Sequence, residues 1–252
     1  MNMRWFGLCL AVWFLFDCRG TGEQSADDTS GDTVSSGGEG ELSIDDSLFT
    51  EPTETVAKWI TPEWYTCETQ ESACGLPCEP NDLWVAINET DFRDSRVCGA
   101  CMTVTAGEST VTVEVIENCG SACADGEIEL SRTAFEQLGN LDEGHVEVAW
   151  QLVPCPREGP IQISYESDSD EWWAGIQIRN AVLPVESLEI RYDDNDWERL
   201  EMDGWNHFPV SGDLASGPFD FRITAINGGQ IEETDIPYRP GETVQGTAQF
   251  VL

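Results

Sequence analysis

With 252 residues, 48 of them acidic and 12 basic, the chain has a formal charge of −36, and 40% of its residues are hydrophobic. That apolar share is enough for one or two packed cores. A field of this sign repels nucleic acid and anionic lipid headgroups and leaves neutral or cationic partners.

In chain order, the apolar run Trp5 to Phe16 behind Arg4 reads as the core of an export signal over residues 1–17, and it is too short to span a bilayer comfortably. Asp17-Cys18-Arg19-Gly20 follows. Leu15 stands three positions before Cys18, as in a bacterial lipoprotein junction, but Phe16 and Asp17 replace the small residues of that pattern. Cys18 is therefore either a lipid anchor or part of a discarded signal, so the chain is expected to be secreted or anchored to an outer membrane, outside the cell. Residues 18–55 are rich in Gly, Ser, Thr, Asp and Glu. Such a segment cannot bury enough apolar surface to offset chain entropy, and it reads as a disordered acidic tether.

The cysteines at 67, 74, 78, 98, 101, 119, 123 and 155 all precede Pro156, and none follows. An even number in an exported domain predicts four disulfides, with the pairing open. Only Cys98-Gly-Ala-Cys101 has a zinc-like spacing, so no metal is assigned. The change in cysteine use at Pro154-Cys155-Pro156 places a domain boundary there, giving domains over 56–156 and 157–252.

In the first domain, strand patterns are expected at Leu83 to Ile87, Cys101 to Thr105, Thr110 to Ile116 and Val146 to Val153, with one helix from a Ser131 cap through Leu138. This is a small mixed barrel. The second domain alternates at Ile161 to Tyr165, Ala174 to Arg179, Leu188 to Tyr192, Phe219 to Thr224 and Ala248 to Leu252, and reads as an all-β sandwich.

Two clusters carry candidate chemistry. Trp172 and Trp173 are adjacent in a strand-like run, and neighbouring strand residues point to opposite faces, so both cannot be core. At least one indole is expected in water, where a flat aromatic surface stacks on sugar rings; Trp205 follows in Trp205-Asn206-His207-Phe208. In the barrel, Glu117 ends a strand, and Glu127 and Glu129 flank Ile128. Carboxylates brought together across a groove can act as acid and base on a glycosidic bond or hydrogen-bond sugar hydroxyls. His145 and His207 stand in no catalytic motif and read as structural. No phosphate loop or hydrolase elbow is present, and no cofactor is expected.

The run Cys98-Gly-Ala-Cys-Met-Thr-Val-Thr through Val115-Ile116-Glu117, then Gly126-Glu127-Ile128-Glu129-Leu130-Ser131 with Phe135, then Val148 to Cys155, resembles the first domain of expansins. Trp172 to Asn180, Asn206-His207-Phe208 and Ile236-Pro237 are similar to the expansin carbohydrate-binding domain, particularly its bacterial branch. The resemblance covers nearly everything after the tether. It implies a six-stranded double-psi β-barrel followed by an immunoglobulin-like β-sandwich, in a monomer that binds cellulose or related β-glucans and loosens wall networks without hydrolysis.

By the same resemblance, Glu117 and Glu129 fall on two family aspartates, and Trp172, Trp173 and Trp205 fall on the three aromatic positions of the binding platform. The family's Ala-Thr-Tyr segment near the start of the barrel is matched by region to Glu63-Trp64-Tyr65-Thr66, which adds Tyr65 to the binding face. The Asp-to-Glu changes keep the charge but move each carboxylate out by a methylene. The alternatives are a glycoside hydrolase or lytic enzyme using these carboxylates, and a pure binding module with an inactive barrel.

Overall fold

The first closed element is a barrel of six strands: β1 (Thr53–Trp59), β2 (Trp84–Asn88), β3 (Cys101–Ala106), β4 (Ser109–Gly120), β5 (Ile128–Leu130) and β6 (His145–Val153), in the spatial order β1-β5-β2-β4-β3-β6. The β1–β5 and β2–β4 pairs are parallel and the others antiparallel. The computed structural model describes Phe49 and residues 51–59, 72–79, 81–192, 195–212, 214 and 217–252. The export signal, Cys18, Tyr65 and Cys67 therefore lie outside the described residues.

Alternation explains the barrel walls. In β6, Val148, Trp150 and Leu152 turn inward and are at most 3% exposed, and the Trp150 indole N–H donates to the Gly126 carbonyl at 3.0 Å, so burial leaves no orphan donor. Inward residues of β2, β4 and β5 (Val85, Ile87, Val113, Val115, Ile128, Leu130) complete this core. β1 begins at Thr53, inside the segment read as tether, because Thr53 to Lys58 pair with β6 from Trp150 to His145. Polar composition did not reveal that strand; a backbone ladder formed by a distant partner does not require apolar side chains.

Two short helices, Glu89–Phe92 and Arg132–Phe135, lie against the barrel within its described residues. α1 (Glu89–Phe92) is capped by Asn88, whose side chain accepts the Asp91 N–H, and it was not expected from the sequence. α2 (Arg132–Phe135) has the expected Ser131 cap, with the hydroxyl accepting the Ala134 N–H. It is shorter than predicted: the Gln137 and Leu138 N–H groups reach back only to Ala134 and Phe135, a tightening into turns just before Gly139-Asn140.

The remaining strands form two four-stranded sheets. One has the order β10 (Glu198–Leu200), β9 (Val185–Tyr192), β12 (Phe219–Ala225), β13 (Gln230–Ile236). The other is β11 (Phe208–Ser211), β8 (Trp173–Arg179), β7 (Gln162–Tyr165), β14 (Thr243–Gln245). Their inner faces bury Ile163, Ile176, Leu188, Ile190, Phe208, Phe219, Phe221 and Ile223 in a second core. The strand expected at Ala248 to Leu252 is not formed. Glu233, 1% exposed, takes the Thr247 and Ala248 N–H groups at 2.8 and 2.7 Å, and the Gln249 side-chain oxygen takes those of Val182 and Phe250. Side chains thus satisfy donors that a ladder would otherwise use.

Three disulfides join described cysteines: Cys74–Cys98, Cys101–Cys155 and Cys119–Cys123, and Cys78 is also disulfide-bonded. Residues Leu42–Leu252 make one compact unit. Barrel and sandwich meet at a polar joint: the Cys74 carbonyl accepts from Gln177 Nε2 at 2.8 Å and Asn206 Nδ2 at 3.1 Å, and the Gly75 carbonyl accepts from Arg179 Nη2 at 3.1 Å. Gly75 adopts φ +59°, and a Cβ there would lie 2.9 Å from His207 Cε1. Ion pairs Arg157–Glu114 and Arg96–Glu186 flank the contact.

Candidate functional site

The barrel half of the site follows from strand register. Lys58 of β1 is opposite Glu129 of β5, Glu129 is opposite Ala86 of β2, and Ala86 is opposite Glu117 of β4. Directly paired residues point to the same side of a sheet, and neighbouring strands lie about 4.8 Å apart, so the two glutamates stand roughly 10 Å apart at Cα across one outer face. Ile128 and Leu130 on either side of Glu129 are fully buried, which fixes that outward direction. A shift of register between Val85 and Ala86 brings Glu117 into the row. A β-bulge of this kind re-aims a side chain.

The two glutamates differ in what they touch. Glu117 Oε2 accepts the Ala73 N–H at 3.0 Å and Oε1 the Asn118 N–H at 2.9 Å. Burial pushes its pKa up, against those two N–H groups. Glu129 is half-buried, and burial likewise raises its pKa, with the Lys58 ammonium opposing and the Glu127 carboxylate reinforcing the rise. Glu127 itself is lowered, first by its hydrogen bond from Lys58 Nζ at 2.7 Å and then by the Ala124 N–H. One ammonium thus neutralises Glu127 and also acts on Glu129, while Glu117 is bound to the backbone before the sandwich joint.

The sandwich half is built on β8. Ala174, Ile176 and Ile178 enter the core, so Trp173, Gly175, Gln177 and Arg179 share the outer face. At about 3.3 Å per residue, that face runs roughly 13 Å from Trp173 to Gln177, which grips Cys74. Cys74 follows Ala73, the residue whose N–H holds Glu117. Two hydrogen bonds joined by one peptide link therefore tie Glu117 to β8, the strand that begins at Trp173. Trp172 is 59% exposed and Trp205 65% exposed, whereas Trp173 is half-buried where it pairs with Ser211. His207 is buried in the joint, with Nε2 3.6 Å from Glu166 Oε1, and His145 is exposed with Nδ1 against the Glu143 carbonyl.

No family model matches the chain. Expansin-YoaJ of Bacillus subtilis is 32% identical over 182 residues, covering 68% of this chain and 77% of that protein. The chain belongs to the expansin family. Expansin-like protein 1 of Dictyostelium discoideum is 22% identical over 222 residues, covering 83% of this chain and 77% of that protein. The apo crystal structure of the Clavibacter michiganensis expansin has a TM-score of 0.71 with 24% identity, covering 80% of this chain and 98% of that one, and so shares its fold. A mutant of that protein in complex with cellohexaose matches with the same figures.

As an expansin, the chain shows the expected barrel and sheets, with Trp172 and Trp205 open to solvent and Trp173 partly covered. Tyr65 and the segment Glu63 to Thr66 lie outside the described residues; what the structure places beside Glu129 is Ala57-Lys58-Trp59 of β1. Lys58 was missed in the sequence. Its only local signal is a single cation in the strand Thr-Glu-Thr-Val-Ala-Lys-Trp, and nothing local discloses its partner 71 positions later.

Proposed function

We propose that this expansin is an exported monomer that binds cellulose or a related β-glucan and loosens wall polysaccharide networks without cleaving them. Trp172, Trp173 and Trp205 stack on glucan rings, Glu129 accepts hydrogen bonds from sugar hydroxyls, and Tyr65 extends the face. Glu117 shapes the groove. The observation that carries the reading is the exposure of two indoles, 59% and 65%, on a sandwich fastened to the carboxylate-bearing barrel. Large apolar groups left in water mark binding surfaces, and stacking on a neutral glucan needs no charge complementarity from a chain of net charge −36. Two further points support the reading. The crystallised relative with the same fold was obtained as a mutant with cellohexaose. Both Glu117 oxygens are already engaged by backbone N–H groups, a poor arrangement for a base that must activate water. Export to the cell exterior accords with the disulfides, and Cys18 either anchors the chain by a lipid or leaves with the signal.

The test is a panel of insoluble polysaccharides combined with wall extension under constant load. Adsorption to cellulose and extension without release of soluble sugar are expected, and Glu129→Ala is expected to stop extension while leaving adsorption in place. A hydrolytic reading draws on the raised pKa of Glu129, which suits a general acid. Release of soluble sugars or muropeptides that Glu129→Gln abolishes would establish it in place of the first.

A further inference from the structure

An exposed indole has few side-chain contacts to orient it, so its aim depends on the backbone beneath it. In this sandwich both turns that present exposed tryptophans are held in the same way. Asp170 Oδ1 accepts the N–H groups of Trp172 at 2.7 Å and Trp173 at 2.9 Å. Asp203 Oδ1 accepts those of Trp205 at 2.9 Å and His207 at 3.0 Å. One carboxylate oxygen therefore gathers two donors in each turn, though the turns lie far apart in the chain.

Each turn is also closed by its own backbone. The Asp170 N–H donates to the Trp173 carbonyl at 2.8 Å, and the Asp203 N–H to the His207 carbonyl at 2.8 Å. On the first turn, the Tyr238 hydroxyl donates to the Asp170 carbonyl at 2.5 Å, and the Gly212 N–H donates to the Trp172 carbonyl at 3.0 Å. Hydrogen bonds to an ionised acceptor are the stronger kind, and a binding face that is ordered beforehand loses less entropy when ligand arrives.

We propose that Asp170 and Asp203 are positioning residues for glucan binding: each carboxylate holds the turn under an exposed tryptophan, so that the indoles are aimed before the polysaccharide arrives. The proposal rests on the reading that these indoles stack on glucan. It also explains carboxylates at the foot of a surface meant for a neutral ligand, since they serve the backbone rather than the sugar.

The experiment measures adsorption of the full chain to microcrystalline cellulose and the order parameters of the indole Nε1–H groups by nitrogen relaxation. The proteins are wild type, Asp170→Ala, Asp170→Asn, Asp203→Ala, Asp203→Asn and Trp205→Ala. Each alanine variant is expected to weaken adsorption about three- to tenfold and to lower indole order only on its own turn. Each asparagine variant keeps an acceptor oxygen and is expected to return to within about twofold of wild type. The two turns are independent, so if one alanine variant does not fold the other carries the test. Wild-type adsorption or wild-type indole order in the folded alanine variants, with adsorption lost in Trp205→Ala, overturns the positioning role and leaves the platform reading standing. Wild-type adsorption by Trp205→Ala overturns the platform reading itself.

Discussion

Gly75→Ala tests whether barrel and sandwich work as one face. The residue sits at φ +59°, and an alanine Cβ would meet His207 Cε1 at 2.9 Å and Gln177 Nε2 at 3.2 Å. The left-handed backbone alone costs a non-glycine residue about 1–2 kcal/mol. Relief of the contact requires moving His207 or Gln177, and Gln177 is one of two side chains holding the Cys74 carbonyl. Losing one or two such bonds adds about 1–2 kcal/mol. The sum, about 2–4 kcal/mol, corresponds to a fall of roughly 5–15 °C in melting temperature for a unit of this size. Differential scanning calorimetry of wild type and variant measures the fall, and amide shifts of Ala73, Cys74 and Gln177 report the joint. Adsorption to cellulose is expected to fall modestly, because Trp172 stands on a separate turn while Trp205, whose carbonyl lies 3.5 Å from the added Cβ, shares the disturbed turn with His207; wall extension is expected to fall further as the two halves lose their alignment. A melting temperature within 1 °C of wild type, on the order of the assay's own scatter, with unchanged shifts at Cys74, would refute the account of the joint.

Glu129 has a raised folded-state pKa, so below its unfolded value both states hold the proton and its penalty is absent; as pH rises through the folded value, the folded state must ionise a half-buried group and stability is lost. Urea melts at several pH values are therefore expected to show Glu129→Gln gaining on wild type as pH rises from acid to neutral, whereas a constant difference would remove the desolvation argument. Lys58→Met is expected to raise the Glu129 pKa further in a carbon-detected titration; an unchanged value would mean that the ammonium acts on Glu127 alone. Alkylation without reductant is expected to label none of the seven described cysteines, and breaking Cys101–Cys155, which closes 54 residues, to cost about 4 kcal/mol against about 2 for Cys119–Cys123, which closes 4, as read from chemical melts; equal costs would contradict the loop-entropy account. Adsorption to cellulose is expected to persist or improve slightly as salt rises, with weak low-salt binding to anionic wall; tight binding that fades with salt would reveal a basic patch outweighing the net charge.

Local patterns announced some parts of this protein and were silent on others. β6 and β8 alternate clearly, and the tandem Trp172-Trp173 pointed to an exposed indole, but β8 starts at Trp173, so Trp172 is exposed in the turn before the strand rather than on the strand's opposite face. β13 was not legible: Gln-Ile-Glu-Glu-Thr-Asp-Ile is an edge strand with little apolar alternation, formed by its ladder with β12. Ala248 to Leu252 looked like a strand but is tied by Glu233 and Gln249, whose reach across the fold leaves no trace in local periodicity. Glu117 and Glu129 were found as residues, yet their common face depends on β2 lying between β5 and β4, a matter of topology. The same holds for Gln177 at the joint and for Asp203, which in sequence is one acidic residue among many.

The central claim is that the exposed indoles bind glucan, and the most direct measurement is an adsorption isotherm on microcrystalline cellulose for wild type and the double variant Trp172→Ala/Trp205→Ala. Each stacked aromatic is expected to contribute on the order of 1 kcal/mol or more, so the double variant should bind at least about tenfold more weakly. Its melting temperature should stay close to wild type, because side chains 59% and 65% exposed contribute little to the core. Undiminished adsorption by a folded double variant would contradict the account.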